Sequence, residues 1–325
     1  MRGRRWPTCS ASGTAENVSG AVHLIDASLY VFRAWHALPP DTLDADGQPL
    51  NAVHGFTRFL LDLLERVRPS HLAAAFDESL THSFRNTLYP AYKANRALPP
   101  AELERQFQYC KQIAQALGVT VLADAQYEAD DLIGSAAARL HAHDLDVVIV
   151  SADKDFGQLI SLRASQWDFS RDLRWDESGV RTRLGVRPDQ VADYLALTGD
   201  AIDNIPGVPG IGAKTAASLL HHFGTLEALL ARADEVAFLR MRGAATVARR
   251  LREHADLARL SRQLTGIALD APVPGHSDDY RYRRPVFEEI EPICDRLRLG
   301  PMTRTRIRAL GGEATPPVRI DPAAV

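Results

Sequence analysis

The stretch DVVIVSADKD, residues 146–155, decides the fold. Its aliphatic run, 147–150, is typical of a strand that is buried on both faces of a parallel sheet. Asp153 and Asp155 follow directly, where the strand should end. In open α/β sheets, ligands bind at the edge where the carboxyl ends of the strands meet. The stretch therefore predicts a buried strand that delivers two carboxylates to such an edge, although D-x-D is also typical of a plain turn or helix cap.

Three further predicted strands also run into acidic residues. They are residues 21–25 before Asp26, residues 71–76 before Asp77, and residues 119–122 before Glu128, Asp130 and Asp131. Segments with helical periodicity separate the strands, at 53–67, 101–117 and 129–142. This alternation predicts an α/β fold with a parallel sheet and helices on both faces.

The character of the chain changes near residue 186. Beyond it, strand-like runs give way to helical patterns at 188–198, 213–222, 225–231 and 244–262. We therefore predict a first domain over 20–186 and an all-α domain over 187–275. Residues 7–20 are mostly small and polar, without the apolar core of a secretion signal. Residues 1–19 are therefore expected to be a disordered extension, or to follow from an upstream start codon chosen in error. Residues 276–325 are rich in Arg and Pro and are expected to be a C-terminal extension, partly disordered.

Composition is that of a globular protein. Apolar residues make up 46% and charged residues 24% of the 325 residues, which is enough for a full core. No apolar run reaches the roughly 18 residues that a membrane helix needs. The three cysteines have no metal or redox spacing, which is typical of reduced thiols in a cytoplasmic protein.

Nine acidic residues fall where a ligand-binding face is predicted. Carboxylates this close repel one another unless a cation neutralises them, and oxygen ligands favour Mg²⁺, with Mn²⁺ as a substitute. Two ions about 4 Å apart stabilise the attacking and leaving oxygens of a phosphodiester displacement without a Ser, Cys or His nucleophile. Each acidic group taken alone is also typical of a cap or loop. The predicted metal ligands are Asp26, Asp77, Glu128, Asp130, Asp131, Asp153, Asp155, Asp200 and Asp203.

Net charge does not exclude a polyanionic partner. The chain carries 38 Lys and Arg against 41 Asp and Glu, a formal charge of −3. Without the nine predicted metal ligands, 38 cations face 32 acids, so the rest of the chain is net positive by 6. Bound divalent ions would also cancel part of the acidic cluster's field.

Residues 79–106 differ in kind from their surroundings. Arg85, Tyr92, Lys93 and Arg96 interleave aromatic and cationic side chains, and the apolar period is weak. Excursions this long are usually lids or binding loops. The alternative is a solvated connector with ordinary surface charges.

A glycine-rich stretch at residues 205–216 reads IPGVPGIGAKTA. It is not a P-loop, because Ala213 separates Gly212 from Lys214 and no strand precedes it. A tight hairpin between two helices fits better, with backbone N–H groups and a helix N-terminus that face a phosphate. The residues of this glycine hairpin that are predicted to contact a nucleic-acid backbone are Gly207, Gly210, Gly212, Lys214 and Thr215.

With these motifs quoted, the chain resembles the bacterial and phage 5′-3′ exonuclease family, relatives of flap endonucleases. The resemblance covers about residues 21–270 and rests on SFR at 83–85, YKANR at 92–96, EADD at 128–131, ADKD at 152–155, and LTGD through GIGAKT at 197–215. It implies a PIN-like core with a helical arch at about 79–106, followed by a helix-three-turn-helix DNA-binding subdomain. It also implies two Mg²⁺ ions, and possible K⁺ binding at the glycine hairpin.

The resemblance assigns roles to individual residues. It divides the metal ligands into a first set, from Asp26 to Asp131, and a second set, from Asp153 to Asp203. Lys93 and Arg96 match cations that engage the scissile phosphate, Arg85 matches a basic residue at the arch base, and Tyr92 is a stacking partner for a terminal base.

The leading hypothesis is a stand-alone, monomeric 5′-3′ exonuclease and flap endonuclease that acts on DNA 5′ ends and junctions. The first alternative is a non-catalytic binder of DNA junctions, which the intact carboxylate set argues against. The second is a PIN-type ribonuclease, which the helical domain over 187–275 argues against.

Overall fold

The computed structural model describes residues 20–79 and 82–312. Within them the chain first alternates strands with helices and then becomes mainly helical. The strands are β1 (Val22–Asp26), β2 (His71–Asp77), β3 (Thr120–Asp124), β4 (Val147–Val150), β5 (Ala164–Asp168) and β6 (Leu173–Trp175). The helices are α1 (Ala27–Ala37), α2 (Asn51–Val67), α3 (Phe84–Leu88), α4 (Ala101–Ala116), α5 (Ala129–Ala142), α6 (Glu177–Leu184), α7 (Val191–Thr198), α8 (Ala213–Phe223), α9 (Leu226–Ala231), α10 (Ala244–Glu253), α11 (Ala255–Thr265), α12 (Phe287–Arg296) and α13 (Pro301–Gly311). Short 3₁₀ helices lie at Lys154–Leu159, Pro188–Gln190, Ala233–Phe238 and Ser277–Tyr280.

The strands form one sheet in the order β3-β2-β1-β4-β5-β6. All neighbours pair in parallel except β5 and β6, which are antiparallel. The predicted α/β fold is confirmed, but the sheet is mixed and two of its strands were not predicted. β5 contains Ser165 and Gln166, and β6 has only three residues, so neither gives an apolar run.

Alternate residues of the central strands face two separate cores. Ile25 and Phe76 pack with α1, α2 and α4, whereas Leu24 and Ala73 pack with α5. Successive side chains of a strand point to opposite faces, and all five residues of β1 are buried. Burial on both faces explains the apolar runs that predicted these strands. The parallel strands β1 to β5 end at one edge of the sheet, which we call the carboxyl edge.

The predicted arch, 79–106, ends earlier than expected. α3 and the turns up to residue 100 lie outside the sheet, but α4 begins at Ala101 and buries Leu103 and Gln106. The side-chain oxygen of Gln106 accepts hydrogen bonds from the N–H groups of Ala52, at 2.7 Å, and Val53, at 3.2 Å, in α2. Residues from 101 onward therefore belong to a core helix.

Helices α7 to α11 enclose a core of their own. The predicted helix 244–262 is in fact two helices, α10 and α11, which meet at His254. The glycine hairpin joins α7 to α8. Across residues 20–79 and 82–312, no helix has both the length and the apolar character that crossing a membrane requires.

Residues 266–312 return across the first domain. The N–H of Tyr282 donates to the Ser70 carbonyl at 2.9 Å, next to β2. Gly118 has φ +81°, and a Cβ there would lie 1.6 Å from the Arg283 carbonyl oxygen. Helices α12 and α13 bury side chains in the core beneath α2 and α4. Residues 276–312 therefore pack against the first domain and do not form a separate extension. The predicted disorder of residues 1–19 and of the last residues concerns positions outside the described residues.

Candidate metal centre

Three strands bring carboxylates together at the carboxyl edge. Because β1 lies between β2 and β4, Asp26 at its end is flanked by Asp77 and Asp153. Asp26 also caps α1, where its Oδ1 accepts the Leu29 N–H at 3.2 Å. Its Oδ2 accepts the Ser151 hydroxyl at 2.8 Å. These bonds fix a carboxylate that is only 6% exposed.

The first turn of α5 adds further carboxylates to this patch. The N–H of Ala129 donates to Asp77 Oδ1 at 2.9 Å, which ties the helix start to the end of β2. Glu128 and Asp131 form a capping box there, as suits acids at the positive end of a helix dipole. Asp130 lies between them, within electrostatic reach of the Asp26 and Asp153 carboxylates.

Burial and mutual repulsion raise the pKa of four of these carboxyl groups. The pKa of Asp26 and of Asp155 is raised to about 7, by burial first and then by neighbouring carboxylates. Burial first, and then acidic neighbours, also raise the pKa of Asp77 and of Asp130. Such groups favour the protonated form until a cation neutralises them. The cluster is therefore short of positive charge.

A second set of carboxylates follows β4 and α7. Asp153 accepts the Asp155 N–H at 2.9 Å and so caps the 3₁₀ helix Lys154–Leu159. Asp155 Oδ1 is buried, and no hydrogen-bond donor reaches it from the described residues. Asp200 accepts the Ile202 N–H at 2.8 Å within the turn that also carries Asp203.

Four cations neutralise part of the cluster. Lys93 at 2.7 Å and Arg85 at 3.4 Å pair with Glu128, and Arg96 pairs with Asp203. Lys154 pairs with Asp200 at 2.7 Å and with Asp155 at 3.6 Å. Burial alone would raise the pKa of Glu128, but Lys93 and Arg85 outweigh it and hold that pKa below its ordinary value. The hydrogen bond and charge of Lys154 likewise outweigh burial and lower the pKa of Asp200.

The donor set fits a hard divalent cation. Its members are carboxylate groups. One buried oxygen, Asp155 Oδ1, accepts no hydrogen bond in the described residues and has Lys154 Nζ at 3.6 Å, and four of the carboxyl groups have a raised pKa. Among the residues that the structure describes, no three His, Cys, Asp or Glu side chains converge into a cage. Mg²⁺ does not need one, since it keeps several waters and usually binds one or two carboxylates.

Asp131 requires a correction to the predicted ligand set. Its two oxygens accept hydrogen bonds from the guanidinium of Arg85 at 2.7 and 2.8 Å. Oδ1 also accepts the Ala268 N–H at 2.8 Å, and Oδ2 the Glu128 N–H at 3.1 Å. Asp131 is fully buried, and each of its oxygens already accepts two hydrogen bonds, which leaves no free lone pair for a metal ion in this structure.

Arg85, which the resemblance assigns to the arch base, is buried there rather than open to a substrate. Its side chain is 3% exposed. Besides Asp131, it donates to the carbonyls of Leu264 and Gly266, each at 2.9 Å, at the end of α11. We call this arrangement the Arg85 clasp. It joins the arch base, α5 and the helical domain, and it leaves the guanidinium inaccessible to a substrate.

Tyr92 is buried as well, with 3% exposure. Its hydroxyl donates to Glu128 Oε2 at 3.0 Å. The arch segment around it rests on the 200–205 turn, because the Lys93 N–H donates to the Asp203 carbonyl at 2.9 Å. The predicted stacking of a base on Tyr92 is therefore blocked in this conformation.

The glycine hairpin divides into a buried part and an exposed part. Gly207, with φ +62°, is buried, and its N–H donates to the Ser261 hydroxyl at 3.1 Å. Gly210, Gly212 and Lys214 are exposed, and Thr215 is partly so. Gly212 starts α8 without a side-chain cap, and a Cβ there would meet nothing within 4 Å. Of the five residues predicted to contact a phosphate, Gly207 is therefore inaccessible in this structure, and the other four are at least partly accessible.

The sequence alone did not reveal the roles of Lys154 and Ser151. Lys154 neutralises Asp200, and Ser151 holds Asp26. Their positions inside SADKD, next to two predicted ligands, were a usable signal. Their partners are distant in sequence, so the pairing itself could be found only in the folded chain.

Two family models match adjacent parts of the chain. The model described as 5′-3′ exonuclease, N-terminal resolvase-like domain, matches residues 21–185. The model described as 5′-3′ exonuclease, C-terminal SAM fold, matches residues 186–288.

The chain is similar to one part of several curated DNA polymerases I. DNA polymerase I of Rhizobium leguminosarum is 40% identical over 277 residues, which cover 82% of this chain and 27% of the relative. DNA polymerase I of Pseudomonas aeruginosa is 42% identical over 248 residues, covering 76% of this chain and 27% of the relative. The chain thus spans about a quarter of the length of these relatives.

Similar solved structures share the fold. T5 5′-exonuclease with bound zinc has a TM-score of 0.60 at 19% identity, covering 90% of this chain and 99% of that one. The catalytic core of Rad2 in complex with DNA substrate has a TM-score of 0.62 at 14% identity, covering 90% and 94%. At these identities the likeness supports the fold alone. The family matches extend over residues 21–288, and the chain therefore belongs to the 5′-3′ exonuclease family of nucleases.

Proposed function

We propose that this chain hydrolyses DNA phosphodiester bonds at 5′ ends and at single-strand/duplex junctions, with Mg²⁺ as its cofactor and Mn²⁺ as a substitute. The observation that carries the proposal is the convergence of carboxylates from β1, β2, β4, α5 and the 200–205 turn on one edge, beside the cations Lys93 and Arg96. No other titratable group is needed for such a reaction, because divalent ions supply both charge stabilisation and an activated water when bound.

The carboxylates are proposed to hold two ions in two sets. The first set is Asp26, Asp77, Glu128 and Asp130, and the second is Asp153, Asp155, Asp200 and Asp203. Ser151 supports the first set by holding Asp26, and the capping bond from Asp155 to Asp153 supports the second. Asp131 is proposed to position α5 through the Arg85 clasp rather than to bind an ion.

Lys93 and Arg96 are proposed to neutralise the charge that develops on the scissile phosphate. Both cations now bond to carboxylates of the cluster, Glu128 and Asp203. With divalent ions and DNA bound, Glu128 and Asp203 would hold the ions, and Lys93 and Arg96 would instead donate to the phosphate. Lys93 has φ +55°, a conformation that costs a non-glycine residue free energy and is common at functional sites.

The exposed part of the glycine hairpin is proposed to bind the backbone of duplex DNA. The first N–H groups of α8 have no acceptor within the helix, and Lys214 adds a mobile positive charge beside them. Such contacts position the duplex without reading its sequence. A K⁺ ion at the hairpin, and action as a monomer with all site residues from one chain, complete the proposal.

The decisive experiment is gel-resolved cleavage of a 5′-labelled flap duplex, with Mg²⁺ and with EDTA. Asp153→Asn should abolish cleavage, because it removes a carboxylate from the centre of the cluster. Asp146→Asn is the matched control, since Asp146 is exposed and lies just before the other end of β4.

Cleavage near the junction that needs Mg²⁺ and Asp153, but not Asp146, is the expected result. Tight binding of the flap without cutting would instead support a non-catalytic junction binder. Preferential cutting of a matched RNA hairpin would support a ribonuclease.

A further inference from the structure

Arg250, in α10, lies directly against the glycine hairpin. Its Nη1 is 3.3 Å from the Gly210 carbonyl oxygen and donates to it. Gly210 has φ +76°, and a Cβ at this position would lie 1.8 Å from the same nitrogen. A glycine at this position therefore permits the backbone turn and also leaves room for the guanidinium of Arg250.

The packing of α10 holds Arg250 in this place. Val247, Ala248 and Leu251 are buried in the core of the helical domain. Arg250, between them in sequence, is partly exposed. Its backbone is therefore anchored on both sides, while its side chain lies at the surface beside the hairpin.

Arg250 differs from its neighbours in charge balance. Arg249 pairs with Glu253 at 2.9 Å, and Arg252 pairs with Asp234. Within the described part of the chain, no carboxylate is within ion-pair distance of Arg250. A guanidinium has five N–H donors, and one of them bonds to Gly210. The remaining donors carry an uncompensated positive charge at the hairpin.

The hairpin itself offers a surface that suits the same ligand. Gly212 and Lys214 are exposed, and α8 begins there with unpaired N–H groups. Arg250 adds a second cation, with a planar fork of donors that matches phosphate oxygens.

We propose that Arg250 is a further DNA-contacting residue, which binds a duplex phosphate and braces the hairpin through Gly210. This inference rests on the proposed function, because it assigns one more contact to the same hairpin. It is independent of the metal cluster, so it can be tested by binding without cleavage.

The test measures the affinity of the full chain for a fluorescent flap duplex in EDTA, between about 50 and 200 mM KCl. Arg250→Ala should weaken binding roughly tenfold near 0.1 M salt and make the slope of log K against log salt shallower by about one. Arg250→Lys should keep the slope, because it keeps the charge. Arg249→Ala is the matched control, since it removes the same charge from the adjacent residue.

In cleavage assays with Mg²⁺, Arg250→Ala should raise KM and leave kcat unchanged at saturating DNA. Equal salt slopes for Arg250→Ala and Arg249→Ala would overturn the inference. So would a loss of thermal stability in Arg250→Ala with the wild-type slope, which would mean that Arg250 only braces the hairpin. A wild-type chain that neither binds nor cuts the flap would refute the proposed function instead.

Discussion

Replacing Asp131 with Asn is expected to destabilise the chain by about 3 kcal/mol. The pair that it disrupts is buried, with Arg85 3% and Asp131 0% exposed. Removing one partner of such a pair leaves the other charge uncompensated and costs about 3–5 kcal/mol. We take the lower end, because the Asn oxygen still accepts one of the bonds that Asp131 now accepts.

Asp130→Asn is the matched control from the neighbouring residue. Burial and repulsion by Asp26 and Asp153 raise the pKa of Asp130, so its charge opposes folding. In EDTA near neutral pH, Asp130→Asn should therefore be at least as stable as the wild type. The free energy of unfolding of both variants is measured by urea unfolding, followed by circular dichroism and by tryptophan fluorescence. If the two signals change at the same urea concentrations, unfolding is two-state and one free energy describes it.

A double-mutant cycle isolates the Arg85 clasp. Arg85→Met and Asp131→Leu should each destabilise strongly, but together by less than their sum, with a coupling of about 2 kcal/mol. The reasoning is refuted if Asp131→Asn has wild-type stability in EDTA and cleavage needs more Mg²⁺. That result would make Asp131 a metal ligand.

Three further predictions concern stability, measured by urea unfolding in EDTA. Burial lowers the pKa of His23 to about 4, below its ordinary 6.5, so the folded state resists protonation and loses about 2 kcal/mol between about pH 7 and pH 5. His23→Gln should remove this loss, and an unchanged pH dependence would contradict it. Burial raises the pKa of Asp26 from 3.8 to about 7, so its charge opposes folding as the pH rises through that window. Asp26→Asn should therefore gain up to about 4 kcal/mol near pH 8, and no gain would count against this. In Gly134→Ala, the new Cβ would lie 2.4 Å from Ile267 Cγ2, so about 1–3 kcal/mol should be lost, whereas Gly300→Ala meets no atom and should be neutral.

The alternation of strands and helices could be predicted from sequence because it depends on local patterns. β1, β2 and β4 are buried on both faces, and mainly apolar residues fill such positions, with His23 as a buried exception in β1. β5 and β6 escaped prediction because their pairing partners, rather than their own residues, make them strands. The packing of residues 276–312 was missed for the same reason, since the core that they cover lies elsewhere in the chain.

The candidate site shows the same division at the level of single residues. Asp130 and Asp131 are chemically identical neighbours, yet they point about 100° apart around α5. One faces the carboxyl edge, and the other meets Arg85. Which of the two aspartates meets Arg85 depends on how α3 and α11 pack against α5. That packing is not encoded in any local sequence pattern.

The sequence by itself determined the strands, the acids at their ends and the family, because strand burial and chain direction send those acids to one edge. Only the tertiary structure decided which of the carboxylates and glycines remain available. In the folded chain, Asp131 accepts hydrogen bonds from Arg85, and the Gly207 N–H donates to Ser261. Arg250 donates to the Gly210 carbonyl. The physical reason is that a buried charge or N–H group takes the partner that the fold brings to it, and such partners are distant in sequence.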